Sequence, residues 1–531
     1  MDENEKTQQD VNSKPAGASI VLEDHPPSLD RIIILVVIAL LLVAFFIGSL
    51  IYVIFYQPSM DALDILKVKD EDLRPSSQSF VTRKLAKIPY NYNVYPLLFS
   101  PDGKNFAYRM SGEWRIPFVV INGTREESDA FGLTMSQDGE QFAFVGRDAR
   151  GFRVIRRGGS SNDVLENPFP LSEDRSYEFL EKSPTLNKDS RGYFDEIDDV
   201  SLAFSQDGKH LVYFARDYNS KKSFLVVDDQ VYEALGDIER NNFAPYSLPT
   251  FSPDGRSLAY IASKTDVTWE RLIGTPIDKQ EFVVVNNKIV GVYDEIVSPL
   301  AYSSDGKQLA YTIKDESGMA VVVNGKKGER YLAIDTHFPP LFSPDGTRLA
   351  YFAIRDREDK WTLVVNGQEQ RGYDNRPLYS SLVFSPDSQK IAYWAGIGRN
   401  NFVQDKKWFV VVNSKESSKY DDVSYDPTLV FSLDSKKLAY QARRDNKSFI
   451  VVNDEEGPVY DGVSWPIFSP NSKHIAYPAR KNRKWLVIVD GKEGKLYDDI
   501  ISHPRFTPDS QYVFYGVRVG DELWQIVETV E

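Results

Sequence analysis

The ten residues FSPDGTRLAY, from Phe342 to Tyr351, decide the fold because close variants of them recur throughout the chain. Ten copies begin at Phe99, Met135, Phe204, Phe251, Tyr302, Phe342, Phe384, Phe431, Phe468 and Phe506. Ser-Pro-Asp-Gly is a turn sequence, since Pro presets φ, Asp caps the local backbone and Gly accepts a positive φ. The apolar residues on either side of each turn therefore predict two antiparallel strands, A and B.

Two more strands complete each repeat. A β-branched run such as Val321–Val323 or Val410–Val412 predicts strand C, and an Asn-Gly turn such as 324–325 favours a tight hairpin into strand D. Strand D carries Tyr-Asp at 293–294, 373–374, 420–421, 460–461 and 497–498. The continuous valine runs indicate strands that are covered on both faces. Four strands repeated about every 40 residues are typical of β-propeller blades rather than of helical solenoids.

We therefore expect an all-β fold: a single ten-bladed β-propeller of four-stranded blades, closed by an N-terminal strand and preceded by one transmembrane helix. The last repeat supplies strands A, B and C, the last of them at Leu523–Val527, but no strand D. The segment Tyr90–Val94 resembles a strand D with Asn in place of Asp, and it is predicted to complete the last blade. Such closure removes exposed sheet edges.

The predicted domains are a disordered tail at 1–30, a transmembrane helix at 31–57, a stalk at 58–86 and the propeller at 87–531. Ile32–Tyr56 contains 25 residues without a charge, and a helix of that length crosses a hydrocarbon core of about 30 Å. Arg31 adjoins this segment, whereas Asp61 is the first charge after it. This asymmetry favours a single-pass protein of the plasma or inner membrane with a cytoplasmic N-terminus and an extracytoplasmic propeller.

Composition excludes several classes of protein. With 63 Lys and Arg against 77 Asp and Glu the net charge is −14, which argues against a nucleic-acid partner. The absence of Cys from the sequence excludes a disulfide scaffold, a Cys-ligated metal site and a thiol nucleophile. The turn aspartates, one per repeat at most, are interpreted as turn caps, so no metal, cofactor or catalytic residue is assigned.

The F-S-P-D-G-x-x-L-A-Y signature resembles the TolB-type, WD-like β-propeller repeat, over about residues 88–531. Because members of this group mostly bind other proteins or act as cell-envelope scaffolds, the resemblance implies a binding role. A similar propeller behind a similar anchor precedes the hydrolase domain of dipeptidyl-peptidase-IV-like enzymes. We find no G-x-S-x-G nucleophile elbow in this sequence, so peptidase activity does not carry over.

A basic residue recurs three or four residues after the strand B aromatic, at Arg147, Arg216, Lys264, Lys314, Arg355, Arg443, Arg480 and Arg518. The candidate binding residues are Arg216, Arg355, Arg443, Arg480, Lys481, Arg483 and Lys484, with Asp294, Asp422, Asp461 and Asp499 from the D-to-A connections. One interpretation is a girdle of ion pairs, each contributing about 0–1 kcal/mol. The other is a charged rim that selects a protein partner, with its densest basic cluster at 480–484.

The leading hypothesis is a membrane-anchored propeller that binds or scaffolds proteins, because the sequence contains no recognisable catalytic constellation; the enzyme class stays open. One alternative is a hydrolase or lyase with its site at the channel mouth. Another is a glycan-binding envelope protein, in which tryptophans at the start of strand C stack on sugar rings rather than between blades. Those residues are Trp361, Trp408, Trp485 and Trp524. Residues 157–192 lengthen the second repeat and are interpreted as a surface loop and contact site.

Overall fold

The computed structural model describes residues 80–88, 92–112, 115–158, 194–218, 222–234, 248–264, 280–356, 360–374, 381–397, 407–422 and 428–530. In these residues the strands form ten sheets with antiparallel pairing, one sheet for each sequence repeat. Strands A of neighbouring blades contact one another, so strand A is innermost and strand D outermost. The prediction of a ten-bladed all-β propeller is confirmed.

The first five blades follow one another along the chain. Blade 1 has β2 (Tyr92–Phe99), β3 (Phe106–Gly112), β4 (Arg115–Ile121) and β5 (Thr124–Ser128); blade 2 has β6 (Ala130–Met135), β7 (Gln141–Asp148) and β8 (Gly151–Gly158); blade 3 has β9 (Glu196–Phe204), β10 (Leu211–Asp217), β11 (Lys222–Val227) and β12 (Gln230–Glu233); blade 4 has β13 (Thr250–Phe251), β14 (Leu258–Lys264), β15 (Gln280–Val285) and β16 (Lys288–Tyr293); blade 5 has β17 (Glu295–Ile296), β18 (Ala301–Tyr302), β19 (Leu309–Asp315), β20 (Gly318–Val323) and β21 (Lys326–Tyr331).

The remaining blades continue in the same order, except that the tenth also takes in the first strand of the described chain. Blade 6 has β22 (Ala333–Ile334), β23 (Leu341–Phe342), β24 (Leu349–Ile354), β25 (Thr362–Val365) and β26 (Gln368–Glu369); blade 7 has β27 (Val383–Phe384), β28 (Ile391–Ile397), β29 (Lys407–Val412) and β30 (Lys415–Glu416); blade 8 has β31 (Leu429–Phe431), β32 (Leu438–Arg444), β33 (Lys447–Val452) and β34 (Glu455–Glu456); blade 9 has β35 (Gly462–Val463), β36 (Ile467–Phe468), β37 (Ile475–Lys481), β38 (Lys484–Val489) and β39 (Lys492–Glu493); blade 10 has β40 (Asp499–Phe506), β41 (Tyr512–Val519), β42 (Glu522–Thr529) and β1 (Phe80–Lys87).

Most blades keep the predicted four strand positions. In blades 5, 6 and 9 strand A consists of two short pieces that both pair with strand B. Blade 2 has three named strands, and an isolated bridge joins Phe194 to Phe152 of its strand C. Phe194 therefore stands where blades 4 to 9 have the tyrosine at the end of strand D.

The strand that closes the ring lies earlier in the chain than Tyr90–Val94, so that part of the prediction is wrong. Strand β1 supplies the fourth position of blade 10 and pairs with β42, from Phe80 opposite Glu528 to Lys87 opposite Glu522. Most of β1 falls within the segment interpreted as a stalk. Tyr92–Val94 instead begins strand A of blade 1, where it pairs with Met110–Gly112.

Hydrogen bonds join the A–B turn of one blade to the next blade. Within a turn, Ser343 Oγ donates to Asp345 Oδ1 at 2.5 Å, and the same carboxylate oxygen accepts the Thr347 amide at 3.0 Å. In blades 7 to 10 Ser replaces the turn glycine and still adopts a positive φ, and its hydroxyl accepts the backbone amide of the preceding turn. These bonds are Asp345 N to Ser388 Oγ (3.0 Å), Asp387 N to Ser435 Oγ (2.9 Å), Asp434 N to Ser472 Oγ (3.0 Å) and Asn471 N to Ser510 Oγ (3.0 Å).

An aromatic contact connects strand D of one blade to strand B of the next. The tyrosine at the end of strand D meets the strand B tyrosine of the next blade edge to face. The pairs, with the distances between ring centroids, are Tyr293 with Tyr311 (5.6 Å), Tyr331 with Tyr351 (6.1 Å), Tyr373 with Tyr393 (6.3 Å), Tyr420 with Tyr440 (6.2 Å) and Tyr497 with Tyr515 (6.2 Å). Two sequence motifs some distance apart thus form one interface between sheets.

We expect Leu85→Ala to destabilise the propeller because Leu85, on the closing strand, is 1% exposed. Removal of a buried leucine side chain costs about 2–5 kcal/mol of the free energy of unfolding. Urea unfolding followed by tryptophan fluorescence measures this cost. The control is Val519→Ala, because Val519 is 45% exposed at the end of β41 in the same blade. Equal stabilities for Leu85→Ala and wild type would contradict closure by β1.

We expect Tyr420→Ala to lower the free energy of unfolding by about 3–5 kcal/mol, the range for a buried aromatic residue. Tyr420 is 1% exposed and also packs against Trp394, with 6.2 Å between ring centroids. Tyr420→Phe should lose about 1 kcal/mol or less, because it keeps the ring and loses only the 3.4 Å hydroxyl contact with Tyr440. Tyr218→Ala, at a tyrosine that is 62% exposed, is the control. A similar cost for Ala at residues 420 and 218 would refute the role of the contact.

Candidate binding surfaces at the blade edges

The antiparallel order of each blade divides its connections between two faces. The A–B and C–D turns share one face, here called the turn face; Asn324 in a C–D turn accepts the amide of Leu309, which follows an A–B turn, at 2.9 Å. The B–C turns and the D–A connections share the opposite one, here called the loop face. The candidate binding residues predicted from the sequence lie at the loop face.

On the turn face the turn aspartates cap their own turns, as predicted. Hydrogen bonds from Ser343 and Thr347 lower the pKa of Asp345 to about 2. Lys104, Lys209 and Lys307 lie 3.4 Å from the second carboxylate oxygens of Asp102, Asp207 and Asp305, respectively. In the described ranges no group of three or more His, Asp or Glu residues is arranged to hold a metal ion.

On the loop face, the recurring basic residue of strand B stands opposite the second residue after the strand D aromatic. Where that residue is acidic, the two form an ion pair within one blade. The pairs are Arg216 with Glu196 (3.8 Å), Lys314 with Glu295 (2.9 Å), Arg443 with Asp422 (3.6 Å) and Arg518 with Asp499 (3.6 Å). Strand register sets these partners, since each basic residue is paired with its acidic residue across the sheet.

Arg355 has a different partner. Arg355 lies one residue later in the repeat than the paired bases of blades 3, 5, 8 and 10, because Ile354 stands opposite Ala333. Tyr331 is followed by two apolar residues, Leu332 and Ala333, so no carboxylate is available there. The Arg355 guanidinium instead bonds Glu369 on β26, at 2.9 Å from Nε to Oε1. The predicted charge is therefore neutralised within blade 6 by the outermost strand.

The first residue after the aromatic has a separate role, because it joins two blades. Asp461 accepts Lys447 Nζ of its own blade at 2.7 Å and the Asn482 amide of blade 9 at 2.9 Å. These two bonds lower the pKa of Asp461. Asp421 and Asp498 make the same bonds, to Lys407 and the Asp445 amide and to Lys484 and the Gly520 amide. We call Asp421, Asp461 and Asp498 the blade latches.

Of the blade latches, only Asp461 is among the candidate binding residues predicted from the sequence. The repeated Tyr-Asp motif contains the signal for Asp421 and Asp498, whereas the predicted residues Asp422 and Asp499 lie one position later. Asp294 occupies a latch position by sequence, yet it is exposed and has no ion pair with a described residue.

The 480–484 cluster separates into neutralised and uncompensated charges. Lys481 pairs with Glu493 at 2.8 Å, and Lys484 pairs with the blade latch Asp498. Arg480 stands opposite Gly462, so blade 9 lacks the carboxylate that pairs with the equivalent base in blades 3, 5, 8 and 10. Arg480 is exposed, has no ion pair with a described residue, and contributes to the lowered pKa of Asp461. Arg483 is also exposed, at the left-handed second position of the B–C turn, with φ of 66°.

Several other predicted features are partly or wholly outside the described residues. Trp361, Trp408 and Trp524 are partly buried and pack against the blade cores, and Trp485 has intermediate exposure. Of the 157–192 segment only residues 157–158 are described, and Ile32–Tyr56 lies outside the described ranges. Among the residues that the structure describes, no helix is long and apolar enough to cross a membrane.

Comparison with known proteins gives structural neighbours only. No family model and no curated protein sequence matches the chain. A eukaryotic initiation factor is similar at 12% identity and a TM-score of 0.39, over 79% of this chain and 96% of that one. The β-propeller domain of the Trilobed protease from Pyrococcus furiosus is similar at 16% identity and a TM-score of 0.29, over 54% and 95%. TolB from Acinetobacter baumannii is similar at 14% identity and a TM-score of 0.23, over 62% and 78%.

We expect Asp461→Asn to reduce stability near neutral pH and to lose that effect in acid. The pKa of Asp461 is lowered in the folded state, so its carboxylate stabilises the fold above the unfolded pKa of about 3.9. That contribution is lost as the pH falls through the lowered pKa. The difference in unfolding free energy between wild type and variant should therefore shrink between about pH 5 and pH 2.

Urea unfolding at a series of pH values measures this difference. Asp294→Asn is the matched control, because Asp294 has the same position after a tyrosine but no ion pair with a described residue. The control should follow wild type at each pH. A deficit in Asp461→Asn that persists undiminished at low pH would argue that the latch does not depend on the carboxylate charge.

Proposed function

We propose that this chain is a membrane-anchored, extracytoplasmic β-propeller that binds or scaffolds other proteins. Its partner would present an acidic surface to Arg480 and Arg483 at the loop face of blade 9. The observation that carries the proposal is that these two arginines have no ion pair with a described residue, whereas the equivalent bases of blades 3, 5, 8 and 10 are paired within their blades. The uncharged Ile32–Tyr56 segment supports the anchor.

The surroundings of these arginines also suit a protein partner. Leu496, which precedes the blade latch by two residues, is 53% exposed, and Val519, at the B–C turn of blade 10, is 45% exposed. The amide of Gly520 bonds Asp498 at 2.7 Å, so both apolar residues lie beside the same junction. Arginine next to exposed apolar side chains is common in protein interfaces, where it forms bidentate bonds to carboxylates.

The charge distribution would orient the partner at such an interface. The protein as a whole carries a net charge of −14, and this charge disfavours contact with an acidic partner over most of the surface. A local basic patch is attractive to the same partner. Electrostatic complementarity of this kind raises association rates and excludes wrong orientations more than it raises affinity.

We expect the double substitution Arg480→Glu and Arg483→Glu to reduce partner capture. The measurement is crosslinking in native membranes followed by affinity capture of the full-length protein. The reduction should be larger at about 50 mM than at about 500 mM salt, because added salt screens exposed charges.

The control is Lys209→Glu with Lys473→Glu, which makes the same change in net charge at two exposed positions of the turn face. This control should capture the partner as wild type does. Loss of capture that is equal at both salt concentrations, or equal in the control, would overturn the proposed basic contact.

A further inference from the structure

A cleft of about 310 Å³ lies between blades 4 and 5 and opens at the turn face. Its apolar lining comes from Val285 and Val290 of blade 4 and from Leu309 of blade 5, with the rings of Tyr302 and Tyr311 beside them. Clefts of this size that combine an apolar lining with a few polar groups are typical ligand sites.

Tyr302 contributes its ring to the cleft rather than a hydrogen-bonding group. Its hydroxyl is closed to solvent and has no hydrogen-bond partner among the described residues. The cleft wall formed by Tyr302 is therefore apolar, and a ligand would meet this wall through apolar contact.

An equivalent cleft shows that the apolar lining is not a necessary result of the blade geometry. Between blades 7 and 8 a cleft of about 330 Å³ is formed by the same repeat positions. There Ser417 stands in place of Val290 and Phe431 in place of Tyr302, and Lys390 and Glu416 add charge to the lining. The two clefts are therefore formed by the same repeat positions and differ in the side chains that line them.

Lysines surround the apolar cleft. Lys307 belongs to its lining, Lys288 lies two residues before Val290, and Lys326 and Lys327 follow the lining residues 324–325. All four are exposed, and Lys288 and Lys326 have no ion pair with a described residue. Asp305, 3.4 Å from Lys307, also caps its own turn. On a protein of net charge −14 this rim is locally basic and complements an acidic ligand.

The strand beside the cleft favours an extended peptide as that ligand. β16 is the outermost strand of blade 4, and no described strand pairs with its outer edge. Its side chains Ile289, Val290 and Val292 are 48%, 48% and 49% exposed. Outer strands in blades 6 to 9 contain only two residues. A long, exposed, apolar edge can accept an additional strand from another protein through main-chain hydrogen bonds.

We propose that the blade 4–5 cleft binds an extended segment of a partner protein. The segment adds to the outer edge of β16, inserts one large apolar side chain against Val290 and Tyr302, and places flanking carboxylates near the four lysines. This inference rests on the proposed protein-binding function and assigns it a second surface, on the face opposite the basic patch of blade 9.

The test titrates the full-length protein into the fluorescein-labelled peptide DEVFVED and follows fluorescence anisotropy. The comparison peptide is DEVAVED, in which alanine replaces phenylalanine. DEVFVED should bind about ten-fold or more tightly than DEVAVED, because burial of an aromatic ring in place of a methyl group favours binding by at least that factor. Val290→Ser, which introduces the residue of the blade 7–8 cleft, should weaken DEVFVED binding about five-fold or more, through lost apolar contact.

Val459→Ser is the matched control, since Val459 is an exposed valine on blade 8 (64% exposed) away from the cleft. It should bind DEVFVED as wild type does. Retained thermal unfolding in Val290→Ser shows that weaker binding is not due to misfolding.

The proposal is overturned when DEVFVED binds no better than DEVAVED, or when Val290→Ser and Val459→Ser change binding equally. Either result leaves the proposed function standing when partner capture still depends on Arg480 and Arg483. If partner capture does not depend on salt but DEVFVED still binds, the proposed contact at blade 9 is overturned and the proposed peptide site in the cleft is not. The two surfaces can therefore fail independently.

Discussion

The edge-to-face contact between a strand D tyrosine and the strand B tyrosine of the next blade is the interaction on which the ring depends. A single four-stranded sheet cannot bury both of its faces, so each blade is stable only against its neighbours. The aromatic pair provides a large buried area with a preferred geometry at that junction. Burial raises the pKa of Tyr373 and Tyr460 to about 12. Their hydroxyls consequently remain protonated and donate to Glu416 and Glu493.

The polar contacts around these tyrosines share one orientation, from strand D of one blade to the B–C turn or strand B of the next. Each blade latch follows its tyrosine directly, and its backbone amide bonds the strand B carbonyl of the next blade, as Asp461 does with Arg480 at 3.0 Å. The latch carboxylate then receives a turn amide and a lysine. A different contact joins the last blade to the first, where the side-chain amide of Gln525 in β42 donates to the Gly103 carbonyl in the A–B turn of blade 1 at 2.8 Å.

Local sequence signals are sufficient to predict the strands of the blades but not to predict which segment closes the ring. Turn chemistry acts over a few residues, so FSPDG and Asn-Gly locate strands A to D in each repeat. β1 pairs with residues more than 400 positions away, from Phe80 to Glu528, and has no Tyr-Asp motif. Tyr92–Val94 looked like strand D because it contains Tyr-Asn, yet a register shift between Val94 and Leu97 allows it to extend strand A of blade 1.

The same reasoning applies to the candidate sites, because neighbouring residues in a strand point to opposite sides. Asp421 and Asp422 are adjacent in sequence, yet the first joins two blades and the second pairs within one. Only the register of the strands distinguishes these two roles, and the register cannot be read from the amino-acid composition. The basic residues could be identified from their spacing, whereas the partners that neutralise most of them could not.

In a repeat protein the residues that hold neighbouring units together must recur, since every junction has the same geometry. Residues that depart from the repeat are therefore free of that structural requirement and are the better candidates for function. Gly462 stands where blades 3, 5, 8 and 10 have an acidic residue, so Arg480 has no ion pair with a described residue. Val290 stands where the blade 7–8 cleft has Ser417, and Tyr302 stands where that cleft has Phe431. The valine makes the blade 4–5 cleft apolar, and the buried Tyr302 hydroxyl has no hydrogen-bond partner among the described residues.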